Sequence, residues 1–320
     1  MSSLLAKDLE RSTLPVISLA GLRSADASEH ARVAADIRAA CVTKGFFYVR
    51  DHGIPDDLRA AVIEQARRFF ALPLERKMAI HVAKSVAHRG YEELRSQTLE
   101  ADMPADLKEC FAMDRDAPSG APFCGPNQWP ENLPEFRTTI ETYRDAMIEL
   151  SALLTRAMAL SLDMPEDALD GFGVDASAMI RLAHYPPQPP NPQPGEKGCG
   201  AHTDWGAFTF LLQDDVGGLQ VWDQTEGWVH AAPIAGTFVV NVGDMMARWT
   251  NDLYQSTMHR VVNVSGRDRI SVPFFFMGNL DYPVECIASC LAAGETPKYP
   301  PTTPALHLTD MVRKTYGTEP

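Results

Sequence analysis

Apolar residues in the first half of the chain recur mostly at helical spacing. Val33, Ile37, Ala40 and Cys41 form one stripe, which predicts a helix. Residues 133–162 place Phe136, Ile140, Tyr143, Met147, Leu150 and Leu154 three or four apart, which predicts one long amphipathic helix. Another helix is predicted from Pro55 to about Phe70, with proline suited to its first turn. Two strands break this helical half, "LPVISL" at 14–19 and the aromatic-rich "GFFYVRDHGIP" at 45–55. After about residue 176 the period shortens. Runs at 178–185, 207–213, 218–222, 237–242, 259–264 and 270–277 are rich in β-branched and aromatic residues, with Gly, Pro, Asn and Asp between them. Many short strands at this spacing predict a sandwich or barrel, not a parallel α/β sheet. Gly217 and Gly218 read as a tight turn between strands, and "NVGD" at 241–244 as another. "PPQPPNPQPGEKGCG" at 186–200 is a stiff loop, placed to shape a pocket entrance.

The stretch "GAHTDWG" at 200–206 carries chemistry. Residues i and i+2 of an extended segment share a face, so His202 and Asp204 point the same way. Alone the pair is weak. Further on, His259 opens another short strand, and Arg269 and Ser271 again share a face. Two histidines and one carboxylate on one side of a metal form the facial triad of non-haem Fe(II) oxygenases, which leaves coordination positions open. Those positions suit a bidentate 2-oxo acid and O2. A guanidinium with a neighbouring hydroxyl suits the far carboxylate of such an acid.

Composition narrows the setting. The 320 residues are 45% hydrophobic and 22% charged, with a formal net charge of −13. This is a globular chain with a sizeable core. Without a basic block, nucleic acid and anionic membranes are not expected as main partners. The opening "MSSLLAKDLERST" lacks the apolar core of a secretory signal, and no apolar run is long enough to cross a bilayer. The six cysteines, at 41, 110, 124, 199, 286 and 290, form no C-x-x-C pair. They read as small buried hydrophobes in a reducing cytoplasm.

Taken together, the chain resembles the Fe(II)/2-oxoglutarate-dependent dioxygenases of the isopenicillin N synthase-like family. "RGY" at 89–91 and "DLKECFAM" at 106–113 join the two early strands in resembling the family's N-terminal region. "HYPPQP", "AHTDWGAFTFLLQDDVGGLQV", "FVVNVGDMMARWTNDLYQSTMHRV" and "RISVPFFF" resemble its oxygenase core. The resemblance implies a mainly β fold with flanking helices: a double-stranded β-helix, or jelly roll, plus a helical N-terminal region. It implies four segments: 1–120 packing on the core, 121–175 as long helix and connector, 176–285 as the jelly roll, and 286–320 as a C-terminal helical or loop extension.

By the same resemblance His202, Asp204 and His259 match the iron ligands. Arg269 and Ser271 match the pair that holds 2-oxoglutarate, and Tyr185 a tyrosine that contacts its carboxylate. Many plant members read Asn-Tyr where this sequence has Ala183-His184, so one expected polar contact near the co-substrate is missing. Arg89, His184 and Phe276 are candidate substrate contacts, against plainer readings as a solvated arginine, a satisfied histidine and a core aromatic. The implied reaction couples decarboxylation of 2-oxoglutarate, with Fe(II) and O2, to hydroxylation, desaturation or cyclisation of a small molecule; a monomer is the default expectation. An oxidase of the same fold without 2-oxoglutarate, a non-enzymatic jelly-roll binding protein and a zinc hydrolase are the alternatives.

Overall fold

The computed structural model describes residues 14–120 and 122–316; the opening segment read above for a secretory signal lies outside them. Twelve strands form two sheets. They are β1 (Val16–Ser18), β2 (Phe46–Arg50), β3 (Gly90–Glu92), β4 (Glu109–Met113), β5 (Ser177–Tyr185), β6 (Cys199–His202), β7 (Phe208–Gln213), β8 (Leu219–Asp223), β9 (Gly227–His230), β10 (Phe238–Val242), β11 (His259–Val261) and β12 (Arg269–Gly278). The larger sheet runs β1-β2-β10-β7-β12-β5-β4-β3, and the smaller runs β6-β11-β8-β9. Strands β5 to β12 therefore divide four and four, the two-sheet arrangement of a jelly roll. The early strands β1 to β4 extend the larger sheet at both edges, so the N-terminal region is hydrogen-bonded into the core.

Seven α-helices surround the sheets: α1 (Ala27–Thr43), α2 (Asp56–Phe70), α3 (Leu74–Met78), α4 (Phe136–Ser161), α5 (Asp170–Gly173), α6 (Asp244–Trp249) and α7 (Pro304–Tyr316), among the described residues. Helix α1 starts six residues before its apolar stripe because the Asp26 carboxylate accepts the Ser28 N–H and caps it. Every apolar residue of the long stripe predicted for 133–162 is buried in α4. No helix among the described residues is long and apolar enough to cross a membrane.

Strand alternation sorts the larger sheet into two environments. Ile180, Leu182, Phe208, Phe210, Val240, Ile270, Val272, Phe274 and Phe276 join the main core with the helices. Their neighbours Met179, Arg181, Thr209, Asn241, Arg269, Ser271, Pro273 and Phe275 face inward and line a cavity of about 460 Å3 between the sheets. A smaller apolar cluster, including Tyr48, Val221, Val229 and Val239, is continuous with this lining through Phe46, Leu219 and Val261.

Gly217 and Gly218 both have positive φ, as a turn predicts, but they do not close a hairpin. They carry the chain from β7 in one sheet to β8 in the other. A Cβ at Gly218 would lie 2.8 Å from the Val262 carbonyl oxygen, so the crossover admits no side chain. The proline-rich loop also departs from expectation. None of residues 186–198 lines the cavity. The loop is tied elsewhere: Glu196 accepts from Arg95 and from the Gln193 N–H.

Candidate metal centre and its cavity

His202 ends β6 and His259 opens β11. The two are direct partners in the antiparallel ladder, which sets their rings 4.2 Å apart between centroids. Asp204 follows two residues after His202, in a loop pinned from behind by α6. The Asp244 N–H donates to the Asp204 carbonyl (2.7 Å) and the Gly243 N–H to that of Ala207 (3.0 Å). A Cβ at Gly243 would stand 2.2 Å from the Gly206 carbonyl oxygen. Glycine is thus required where the "NVGD" segment crosses the ligand loop.

The ring nitrogens are assigned by their partners. His202 Nδ1 lies 2.8 Å from the Gly200 carbonyl and His259 Nδ1 lies 3.2 Å from the Thr257 carbonyl. A carbonyl only accepts, so each Nδ1 carries the hydrogen and each Nε2 presents a lone pair. Asp204 Oδ2 is consumed by hydrogen bonds from Thr209 Oγ1 (2.6 Å) and Asn241 Nδ2 (2.7 Å). Its Oδ1 remains, 3.8 Å from His202 Nε2 and 3.6 Å from His259 Nε2. The three donor atoms lie within 4.8 Å of one another, the one such cluster of three or more metal-ligating groups among the described residues.

Burial pushes His259 down to about 4, helped by the adjacent His202 imidazole, and burial also lowers His202. Burial opposes ionisation of Asp204, yet the two imidazoles and the bonds from Asn241 and Thr209 outweigh it and hold the carboxyl below its usual range. With both rings neutral, the bonds from Asn241 and Thr209 still favour the carboxylate, and two neutral imidazoles with one carboxylate is the protonation state a divalent metal needs. This donor set fits Fe(II).

Further along the inner face lies Arg269, fully buried. Its Nη1 donates to Ser271 Oγ (3.1 Å) and its Nη2 to Gln213 Oε1 (3.0 Å). Its Nε is buried without a partner. The guanidinium carbon lies 4.8 Å from the centre of the Tyr185 ring, which also faces the cavity. Among the described residues no carboxylate pairs with this buried guanidinium, which fits an anionic co-substrate.

Two expected substrate contacts are corrected. Phe276 lies on the outer face of β12, stacked on Phe208 and edge-on to Phe172; the cavity side chain is its neighbour Phe275. His184 points away from the cavity too, with Nδ1 2.8 Å from Glu109 and Nε2 2.8 Å from Asp268. Both errors follow from the period of two, which puts each residue opposite its neighbour. Arg89 does line the cavity. It is 2% exposed, not solvated. Sequence reasoning missed Thr209, Gln213 and Asn241. The signal was there: single polar residues on the inner phase of "FTFLLQ" and "FVVNV". Lys108 was also missed; it lines the cavity with its ammonium on Asp106 (2.7 Å) and Cys199 Sγ (3.2 Å).

Comparison with known proteins agrees with this geometry. Residues 176–278 match the 2OG-Fe(II) oxygenase superfamily model, and residues 14–132 match the N-terminal model described as non-haem dioxygenase in morphine synthesis. The 2-oxoglutarate-Fe(II) type oxidoreductase hxnY of Emericella nidulans is 42% identical over 314 residues, covering 94% of this chain and 89% of that protein. The chain belongs to the 2OG-Fe(II) oxygenase superfamily. A full-length Neurospora crassa protein, solved in complex with alpha-KG, superposes on this oxygenase with a TM-score of 0.87 at 30% identity, covering 95% of this chain and 96% of that one. The same Neurospora crassa protein with alpha-KG and thymine gives 0.85, also at 30% identity, covering 95% and 97%. The oxygenase is a non-haem Fe(II) dioxygenase that couples decarboxylation of 2-oxoglutarate to oxidation of an organic substrate. The 2-oxoglutarate-independent oxidase, the binding module and the zinc hydrolase give way to it.

Proposed function

We propose that His202 Nε2, His259 Nε2 and Asp204 Oδ1 hold the Fe(II), and that Arg269, Ser271 and Tyr185 hold the distal carboxylate of 2-oxoglutarate. The observation that carries this is the buried Arg269, with an unpartnered Nε, in the same cavity as the three converging donors. When bound, the iron supplies the oxygen chemistry, with 2-oxoglutarate as reductant. The chain's own work is positional. Gly200 and Thr257 fix the imidazole tautomers, Asn241 and Thr209 leave one oxygen of Asp204 for the metal, and the apolar walls exclude water.

The substrate we propose is a small molecule with an apolar body and one anionic or hydrogen-bond-accepting end. Met179, Leu211, Met258, Phe275 and Leu308 supply apolar walls. Arg89 supplies the polar end. Its Nη2 donates to the Phe123 carbonyl (2.9 Å) and to Asp114 (3.3 Å), while its Nε and Nη1 are buried without partners. Asp114 is shared with Arg144 and Ser177, so it balances Arg89 only in part. Hydroxylation is the proposed outcome. A monomer in the cytoplasm is proposed because one chain supplies every site residue and three of its six thiols are part-exposed. In the proposed division, 1–120 carries Arg89, 121–175 carries α4, 176–285 the metal and co-substrate residues, and 286–320 the α7 wall.

The test is anaerobic. Adding 2-oxoglutarate to the Fe(II) protein should produce a weak visible absorption band, and Arg269→Ala should weaken it. A band unchanged in that variant overturns the anchor. Arg89→Met should then raise KM for substrates with a carboxylate or other accepting end, found by succinate release, and leave analogues lacking that end alone. Equal effects on both would remove Arg89 from the substrate.

A further inference from the structure

His184 is the one imidazole of the sheet bracketed by two carboxylates. It lies on the outer face of β5, stacked on Phe70 of α2 with ring centroids 5.4 Å apart. Its Nδ1 is 2.8 Å from Glu109 Oε1 on β4, and its Nε2 is 2.8 Å from Asp268 Oδ1 in the turn before β12. A carboxylate accepts and does not donate. A neutral imidazole has one N–H, so it satisfies one of these contacts and turns a lone pair on the other. Both contacts at 2.8 Å require the imidazolium.

We propose that His184 is a positioning residue for 2-oxoglutarate: as imidazolium it clamps the turn that delivers Arg269 into the cavity, and it releases that turn when it loses its proton. The inference rests on the proposed role of Arg269. The geometry makes the link short. Asp268 precedes Arg269 in the chain, and in the β5–β12 ladder Ile270 pairs with His184 and Arg269 with Tyr185. The two ends of the clamp are unequal. Glu109 is buried and already receives Lys77 Nζ from α3 (2.6 Å) and Tyr91 Oη from β3 (2.6 Å), whereas the Asp268 side chain is 68% exposed. Beyond Ile270, Asp214 takes the Ile270 N–H (2.7 Å) and lies 3.6 Å from Arg67 of α2, while Arg267, next to Asp268, pairs with Asp215 (3.1 Å). Water serves Asp268 far better than it serves Glu109, so deprotonation leaves the Nδ1–H on Glu109 and breaks the bond to Asp268.

Burial works against the charge on His184, and the bonds to Glu109 and Asp268 overcome it, so the group titrates above the ordinary imidazole range. The sign follows. The clamp holds below that raised pKa and is lost as pH rises through it. Asn263 still ties the turn, donating to the carbonyls of Tyr185 (3.0 Å) and Arg267 (2.8 Å). Release therefore loosens Arg269 without freeing it.

The experiment is anaerobic calorimetric titration of 2-oxoglutarate into the Fe(II) protein, from about pH 6 to about pH 9, across the imidazole range. Wild type should lose about three- to tenfold in affinity over the rise. Asp268→Asn is the decisive variant. Its amide can donate to the lone pair of a neutral His184, so the clamp survives deprotonation. Affinity should stay near the low-pH wild-type value throughout. His184→Gln should be weak at low pH and flat with pH. Superimposable profiles for wild type and Asp268→Asn overturn the clamp, as does an NMR titration in which His184 titrates no higher than an ordinary imidazole. Arg269→Ala separates the two readings: if it binds 2-oxoglutarate as wild type does, the Arg269 anchor falls, and His184 can still be seen to titrate.

Discussion

The two faces of the larger sheet are built from alternate residues of the same strands, and they obey different rules. On the outer face Phe208, Phe210, Phe274 and Phe276 pack with the helices, dry and close-fitted. On the inner face Thr209, Asn241, Arg269 and Ser271 hold polar groups around a cavity. The outer face has its bonding completed by neighbours. The inner face keeps an atom in reserve, Arg269 Nε, and turns toward the free Oδ1 of Asp204 in the adjoining loop. A strand with period two lets one backbone be rigid through one face and reactive through the other.

Substitutions can split the faces. The largest effect is expected from His202→Ala, which should abolish turnover while the thermal midpoint of the metal-free protein stays close to wild type. A large fall in that midpoint would mean that the cavity lining, here contributed by the smaller sheet, also carries stability. Next come the neighbours Phe274 and Phe275. Phe274→Ala should cost about 3–5 kcal/mol in chemical denaturation and leave 2-oxoglutarate affinity intact in the folded fraction. Phe275→Ala should do the reverse, shifting substrate KM at little cost in stability. Similar denaturation midpoints for the two would blur the distinction. The smallest effect belongs to Asn241→Ala, which removes one of the two bonds to Asp204 Oδ2 and should weaken metal affinity by about 10–100-fold. Competition with a metal chelator reads it, and unchanged affinity would show that Thr209 alone orients the carboxylate.

The same alternation explains what is legible in the sequence. The long helix, the change from helical to strand period near residue 176, and the grouping of His202, Asp204 and His259 can be read because each is a spacing. Arg269 and Ser271 can be read for the same reason. Which phase faces the cavity cannot. Sequence alone points to Phe276 as the inner residue, and Phe275 is the one that lines the cavity. Strands β3 and β4 are legible only through the resemblance, not as strands; "ECFAM" is buried on both sides and carries no alternation to detect. His184 stands out as unusual, but its partners Glu109 and Asp268 lie 75 and 84 residues away, and no local pattern announces them.

Helix α7 stands outside both sheets. Leu308, Met311 and Thr315 give the cavity one wall, and the buried His307 joins the helix to the metal loop through the Trp205 carbonyl (3.0 Å). No residue of α7 belongs to the proposed iron or 2-oxoglutarate set. Inheritance can therefore act on this wall separately. A lineage can exchange the three side chains and explore new substrates, while the oxidising machinery passes from ancestor to descendant unaltered.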